Sequence, residues 1–146
     1  MRWFFKLVRS THAAVFRLSG GRVGASIAGM PMLLLATTGR RSGRLHSVPL
    51  GYLLEQDSYV VIASYRGSPK HPAWYLNLRS EPKALVQVGS EKIEVIAKTV
   101  DSDAREQLWS RLVEKTPIYQ RFQDRTSRQI ALVYLTPVAP GTNVLP

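Results

Sequence analysis

Apolar residues recur along this chain with two different periods, and each change of period marks a new element. Residues 2–18 (RWFFKLVRSTHAAVFRL) carry a helical period. Trp3, Phe4, Leu7, Val8, Ala14, Val15 and Leu18 fall on one face, and Arg2, Lys6, Arg9 and Arg17 fall opposite. SGGRVG (19–24) ends that amphipathic helix. Short apolar runs follow. PMLLLATT (31–38), HSVPLGYLL (46–54) and SYVVIAS (58–64) read as three strands, the last two joined as a hairpin by an EQD turn. Pro49 donates no backbone hydrogen bond, so the middle of the second strand should lie at an edge or a bulge.

HPAWYLNLRS (71–80) reads as a short helix with Pro72 in its first turn. ALVQV (84–88) and EKIEVIAKT (91–99) flank a Gly-Ser turn as a second hairpin. In the latter, Ile93, Val95 and Ala97 alternate with Lys92, Glu94, Ile96 and Lys98, which predicts one drier face. DSDAREQLWSRLVEKT (101–116) is the clearest helix, with capping acids at its start and Ala104, Leu108, Trp109 and Leu112 on its buried stripe. Pro117 breaks it. IYQRFQDRTSR (118–128) predicts another short helix, and QIALVYL (129–135) a closing strand. Hairpins separated by single helices predict an α+β domain, an antiparallel barrel with helical lids rather than a doubly wound parallel sheet. The whole chain, 1–146, reads as one domain: residues 1–24 form the amphipathic helix and its linker, and 29–137 form the barrel.

Composition narrows the chemistry. With 146 residues and 45% hydrophobic content the chain can bury a real core. It has no cysteine, which excludes disulfides, thiolate catalysis and zinc–thiolate sites. His12, His46 and His71 stand far apart, so no metal site is expected. Redox chemistry would therefore need a bound organic cofactor. The longest apolar run, Met30 to Ala36, is far below the ~20 residues of a spanning helix. Lys6, Arg9 and Arg17 interrupt any signal-peptide core. A cytoplasmic protein is expected, whose amphipathic helix either packs on the barrel or makes peripheral contact with the inner face of the plasma membrane.

The net charge of +10 is distributed unevenly. Eight bases precede the first acid, Glu55, whereas the rest of the chain is nearly balanced. Such a field favours a polyanionic ligand, nucleic acid or an anionic membrane. Tyr52, Tyr59 and Tyr134 read as isolated, so no aromatic ladder is expected for stacking bases.

Two stretches carry candidate chemistry. In TTGRRSGRLHSVPL (37–50), Arg40, Arg41, Arg44 and His46 crowd a glycine-bracketed turn without a single acid. It is neither a Walker A loop nor a dinucleotide fingerprint. What remains is a hairpin with guanidinium forks, close backbone approach at Gly43 and the Ser42 hydroxyl. SYRGSPKHPAWYLNL (64–78) passes through a proline-stiffened loop that brings Lys70 and His71 next to Trp74. Such a loop suits an electron-poor aromatic ring carrying carbonyls.

Together these stretches resemble the deazaflavin-dependent nitroreductase family, F420H2-dependent oxidoreductases with an FMN-binding-like split β-barrel. The family wording is close to TTGRKSGxxRxxPL followed by ASxGGxPxHPxWYxNL, and RTSRQIALVYLTP (125–137) resembles the family's ending. The likeness spans roughly residues 29–137 in order. It implies coenzyme F420 as cofactor, a deazaflavin with a phosphate and an oligoglutamate tail. By that likeness Arg40, Arg41, Ser42 and Gly43 would hold phosphate and tail. Ser47, Val48 and Pro49 would line the ring. Ser68, Pro69, Lys70 and His71 would meet its polar edge, supported by Trp74 and Asn77.

Two departures stand out. His46 occupies a place where the family commonly has arginine, so a permanent cation is replaced by a titratable one. Nitroimidazole-reducing members carry three tyrosines where this chain has Thr116, Tyr119 and Phe122. Hydride transfer to a quinone, enone or nitroaromatic acceptor is expected, with the proton coming from solvent or from Tyr119 and nitroimidazole reduction disfavoured. The rival readings are an FMN-dependent reductase on a similar barrel and a non-enzymatic basic protein that binds nucleic acid or a membrane surface. A nucleic-acid partner is not expected; pairing with a second copy over an open sheet face is.

Overall fold

A computed structural model describes residues 26–27 and 29–138; the amphipathic segment expected at 2–18 and its linker at 19–24 lie outside the described residues. The strands are β1 (Ser26–Ile27), β2 (Met30–Thr38), β3 (Leu45–Glu55), β4 (Ser58–Ile62), β5 (Lys83–Val88), β6 (Glu91–Thr99) and β7 (Leu132–Pro137). The helices are α1 (Ala73–Ser80), α2 (Ser102–Lys115) and α3 (Ile118–Asp124), with a 3-10 turn at Tyr65–Gly67. All strand pairs are antiparallel and run β1-β2-β3-β4-β7-β6-β5. A further pairing of β2 with β5, from Leu34↔Gln87 to Ala36↔Leu85, closes the last six into a barrel.

Alternation along the strands sorts side chains into two cores, because neighbours in a strand point to opposite faces. Leu33, Leu35, Val61, Val86, Val133 and Leu135 belong to one core, capped by Trp74, Tyr75 and Leu78 of α1. The residues between them, Val60, Ile62 and Leu132, join a second core on the outer face with Leu108 and Leu112 of α2. Ile93, Val95 and Ala97 share the inner face as their alternation predicted. Asp101 caps α2 by accepting from the Ala104 amide at 3.0 Å. Tyr52 and Tyr59 are not isolated: diagonal positions on the paired strands β3 and β4 set their rings edge to face, with centroids 5.2 Å apart. No helix among the described residues is long and apolar enough to cross a membrane.

Boundaries moved where backbone pairing overrode pattern. α1 begins at Ala73, not 71, and Pro72 is its extended N-cap. Proline bars its predecessor, His71, from helical geometry. β4 stops at Ile62 because the chain leaves the sheet at Ala63 and enters the 3-10 turn. α3 stops at Asp124, freeing Arg125 and Arg128 to reach back to that turn. β7 begins at Leu132, where it meets Ile62.

One strand makes the barrel asymmetric. β3 pairs with β2 from Leu45 to Gly51 and with β4 only from Tyr52 to Glu55. Its first half therefore has a neighbour on one side alone, and Pro49 sits in that half. This is the edge that Pro49 predicted.

The 3-10 turn leans on α3 through Gly67, whose φ is +82°. A Cβ there would lie 2.5 Å from the Phe122 carbonyl oxygen and 2.9 Å from the Arg125 Cβ. Gly67→Ala should therefore destabilise the fold by about 2–5 kcal/mol, left-handed strain adding to overpacking against backbone. Gly89→Ala, at φ +59° with nothing within 4 Å of the new methyl, should lose only about 1–2 kcal/mol. Chemical denaturation of both variants checks the difference; equal losses would show that α3 does not press on the turn.

Candidate active site

The half-paired edge of β3 opens a cleft of about 680 Å³. Its floor is the inward-facing side of β3, with Val48 and Leu50 beside Pro49. One wall is the Gly39–Arg44 turn. The opposite wall is the segment Ser64–Arg66 together with the start of α1, where Trp74 and Asn77 face in. No Asp or Glu lines the cleft among the described residues, whereas Arg40, Arg41, Arg66 and His46 do. The site is thus strongly electropositive over an apolar floor.

The basic turn is held by its own backbone. Gly39 N donates to Arg44 O at 2.6 Å and Gly43 N to Gly39 O at 2.8 Å. Gly43 adopts φ +71°, a conformation that suits glycine. The His46 ring folds over Gly39, where a Cβ would lie 2.8 Å from Nε2, and that nitrogen stands 3.4 Å from the Ser42 hydroxyl. Asn77 of α1 anchors the turn by direct contact. Its Oδ1 accepts from both the Arg40 amide and Arg40 Nη1 at 3.1 Å, and its Nδ2 donates to Thr37 Oγ1 at 3.1 Å. Asn77 is buried, and its bond to Thr37 runs in a low-dielectric setting, whereas the two bonds to the exposed Arg40 are partly buried.

The structure brings together Arg40, Arg41, Ser42, His46, Val48, Pro49, Trp74 and Asn77 along the cleft. It places the other expected residues elsewhere. Gly43 shapes the turn without lining the cleft. Ser47 alternates to the outer face of β3, where its buried hydroxyl has no hydrogen-bond partner. Ser68, Pro69, Lys70 and His71 follow the Ser64–Arg66 wall segment in the chain and are not among the residues that line the cleft. Ser68 Oγ accepts from Lys70 N at 3.3 Å, and the His71 ring rests 5.0 Å from that of Tyr75. Burial, then the guanidiniums of Arg128 and Arg79, hold the His71 pKa below the ordinary histidine value. Tyr119 does not line the cleft. It packs on the outer core, edge to face with Phe122 at 5.8 Å, and burial pushes its phenol pKa up. Tertiary packing of α3 placed it there; the spacing of residues 116–122 could not show which way that helix faces.

Pattern reasoning passed over Ser64, Tyr65 and Arg66, which line the cleft directly. Tyr65 and Arg66 take φ of +44° and +55°, unusual for residues other than glycine. The available signal was Arg66 standing where the resembling family writes glycine.

The family model for F420H(2)-dependent quinone reductases matches residues 7–137. An F420H(2)-dependent quinone reductase of Mycobacterium tuberculosis (strain H37Rv) is 38% identical over 130 residues, covering 86% of this chain and 87% of its own. Among solved structures, an F420-H2 dependent reductase (FDR-A) superposes with a TM-score of 0.65 at 36% identity, covering 72% of this chain and 93% of its own. A structure described as a domain-swapped dimer gives a TM-score of 0.66 at 32% identity, covering 90% and 98%. The barrel, the electropositive cleft in its split and these likenesses agree, and the chain belongs to the F420H(2)-dependent quinone reductase family.

Proposed function

We propose that the cleft binds reduced coenzyme F420 and that the protein uses it to reduce a quinone. The observation that carries this reading is the acid-free cleft: a basic turn beside an apolar floor, open along the unpaired edge of β3. The residues fit the group. Arg40, Arg41 and Ser42, with His46 beside them, suit a phosphate and a carboxylate-rich tail. Val48, Pro49, Leu50 and Trp74 suit the ring. Asn77 fixes where Arg40 stands, and Gly43 sets the turn. Ser68, Pro69, Lys70 and His71, which continue the wall segment toward α1, would meet the ring's polar edge. When bound, reduced F420 supplies a hydride.

The protein's own part is positioning, exclusion of water and a positive field. The proton that completes the reduction comes from solvent, because Tyr119 stands on the outer core with its phenol pKa raised. Thr116, Tyr119 and Phe122 do not line the cleft, so nitroimidazole reduction gains no support from them. A lipophilic quinone also suits the amphipathic pattern of residues 2–18, whose apolar face would touch the bilayer while its arginines meet lipid phosphates.

Fluorescence titration tests the cofactor. F420 should bind with micromolar or better affinity and FMN far more weakly; the reverse order would replace the cofactor. Asn77→Ala should weaken F420 binding roughly ten- to hundredfold, the loss expected for hydrogen bonds to a charged group. Arg41→Ala, at an exposed position, should weaken it without lowering the melting temperature, which separates binding from folding. Tyr119→Phe should keep kcat for menadione reduction within about threefold, whereas a loss of about a hundredfold would make the phenol the proton donor.

A further inference from the structure

The outer face of the barrel carries a dry patch that no described helix accounts for. Leu33 and Leu35 point into the barrel, so Leu34 and Ala36 of β2 point out. Strand pairing sets Gln87 and Leu85 of β5 directly opposite them on the same face, with Ser47 of β3 on the other side of Ala36. The outward face of an antiparallel sheet is wet unless something lies on it. Leu34, Ala36, Leu85 and Gln87 are nonetheless no more than 7% exposed. The Ser47 hydroxyl and Gln87 Oε1 are also shut off from solvent, without a hydrogen-bond partner. A cover that offers neither of them a donor is apolar at those points.

The burial is that of a single chain, so the chain supplies its own cover. The described helices are engaged elsewhere. Trp74, Tyr75 and Leu78 of α1 close the inner core. Leu108 and Leu112 of α2, with Tyr119 and Phe122 of α3, join the outer core around Val60, Ile62 and Leu132. The apolar cluster on the patch itself, Ala36 and Leu85 with Leu45, holds strand residues alone.

The direction of entry selects the occupant. β1 pairs antiparallel with β2 through Ser26↔Pro31 and Ile27↔Met30. The line of chain that leads into Ser26 therefore runs back along β2, toward Leu34 and Ala36. There β5 holds the edge of β2, and Leu33 and Leu35 fill the inside, which leaves the outer face. Residues 2–18 carry a matching surface, an apolar stripe from Trp3 to Leu18 at helical period. Their opposite face holds Arg2, Lys6, Arg9 and Arg17, and Glu94 of β6, opposite Leu85, sets a carboxylate at the rim of the patch. The chain beyond Val138 fits less well. Val138 N is tied to Glu94 O at 2.9 Å, on the strand beyond β5, and residues 139–146 have no amphipathic period. We propose that the outer face of β2 and β5 is the seat of residues 2–18, whose apolar stripe covers Leu34, Ala36 and Leu85. This goes beyond the cofactor reading and does not depend on it. Sheet and bilayer compete for the one apolar stripe, so the segment must leave its seat before that stripe enters lipid.

A single spin label on the full chain tests the seat. The sequence has no cysteine, so Ala13→Cys, which the helical period places among the bases, gives one attachment point away from the apolar stripe. In lipid-free solution the label should broaden the amide signals of Leu34, Ala36, Leu85 and Gln87 and leave those of Leu108 and Leu112 sharp. Adding Leu7→Asp to the labelled chain should abolish that broadening and raise binding of a hydrophobic dye severalfold, while the signals of the inner core keep their dispersion. Broadening centred on α2, no broadening at all, or broadening that Leu7→Asp leaves intact would overturn the seat. So would dye binding that rises on removal of residues 139–146 and not with Leu7→Asp, which would assign the face to the C-terminal tail. A mixture of spin-labelled, unenriched chains with unlabelled 15N chains should show no broadening; transfer of the effect between chains would make the occupant a second copy. F420 enters none of these readouts, so their failure leaves the cofactor assignment standing.

Discussion

Strand β3 is longer than either neighbour can cover, and the site depends on that mismatch. It pairs with β2 until Gly51 and with β4 from Tyr52 onward. Over its first half one side carries no strand, and a closed barrel is left with an opening in its wall. Pro49 lies in this half and lacks the N–H that a second neighbour would require. The opening therefore has a floor of inward-facing side chains, Val48 and Leu50, that would otherwise be core. An apolar surface reached from outside, within a rigid sheet, is what a flat ring needs.

The cleft lining is held by long-range side-chain ties to backbone. Asn77, on α1, binds Arg40 and Thr37 directly and so fixes the basic turn against that helix. Arg128, far along the chain, gathers the carbonyls of Ala63, Ser64 and Ser68. A planar guanidinium with five donors can satisfy three carbonyls at once, which lysine cannot do with the same geometry. Positive charge thus serves two purposes. Arg40 and Arg41 face the cleft, whereas Arg125 and Arg128 support the backbone that faces it.

Much of this was legible residue by residue. The alternation at Ile93, Val95 and Ala97, the caps before α2 and the edge at Pro49 all came from local chemistry, and each stands in the structure. The ordered pair of motifs was sufficient to indicate the family. Legibility failed where side chains are assigned to a face by packing. Ser68 to His71 carry the conspicuous polar groups of the motif but are not among the cleft-lining residues; Ser64 to Arg66, less conspicuous in sequence, are. Tyr119 was chosen for its hydroxyl, but the docking of α3 turned it to the outer core.

The sequence by itself determined the elements, the basic turn and the membership in a redox family, because these rest on periods of two and 3.6, on proline and glycine, and on charge. Only the tertiary structure decided which residues meet. Closure of the barrel by β2 and β5, the reach of Arg128 over some sixty residues and the left-handed turn at Tyr65 and Arg66 are long-range outcomes. They arise from satisfying buried carbonyls and filling two cores at once, and no local window of the chain contains both partners.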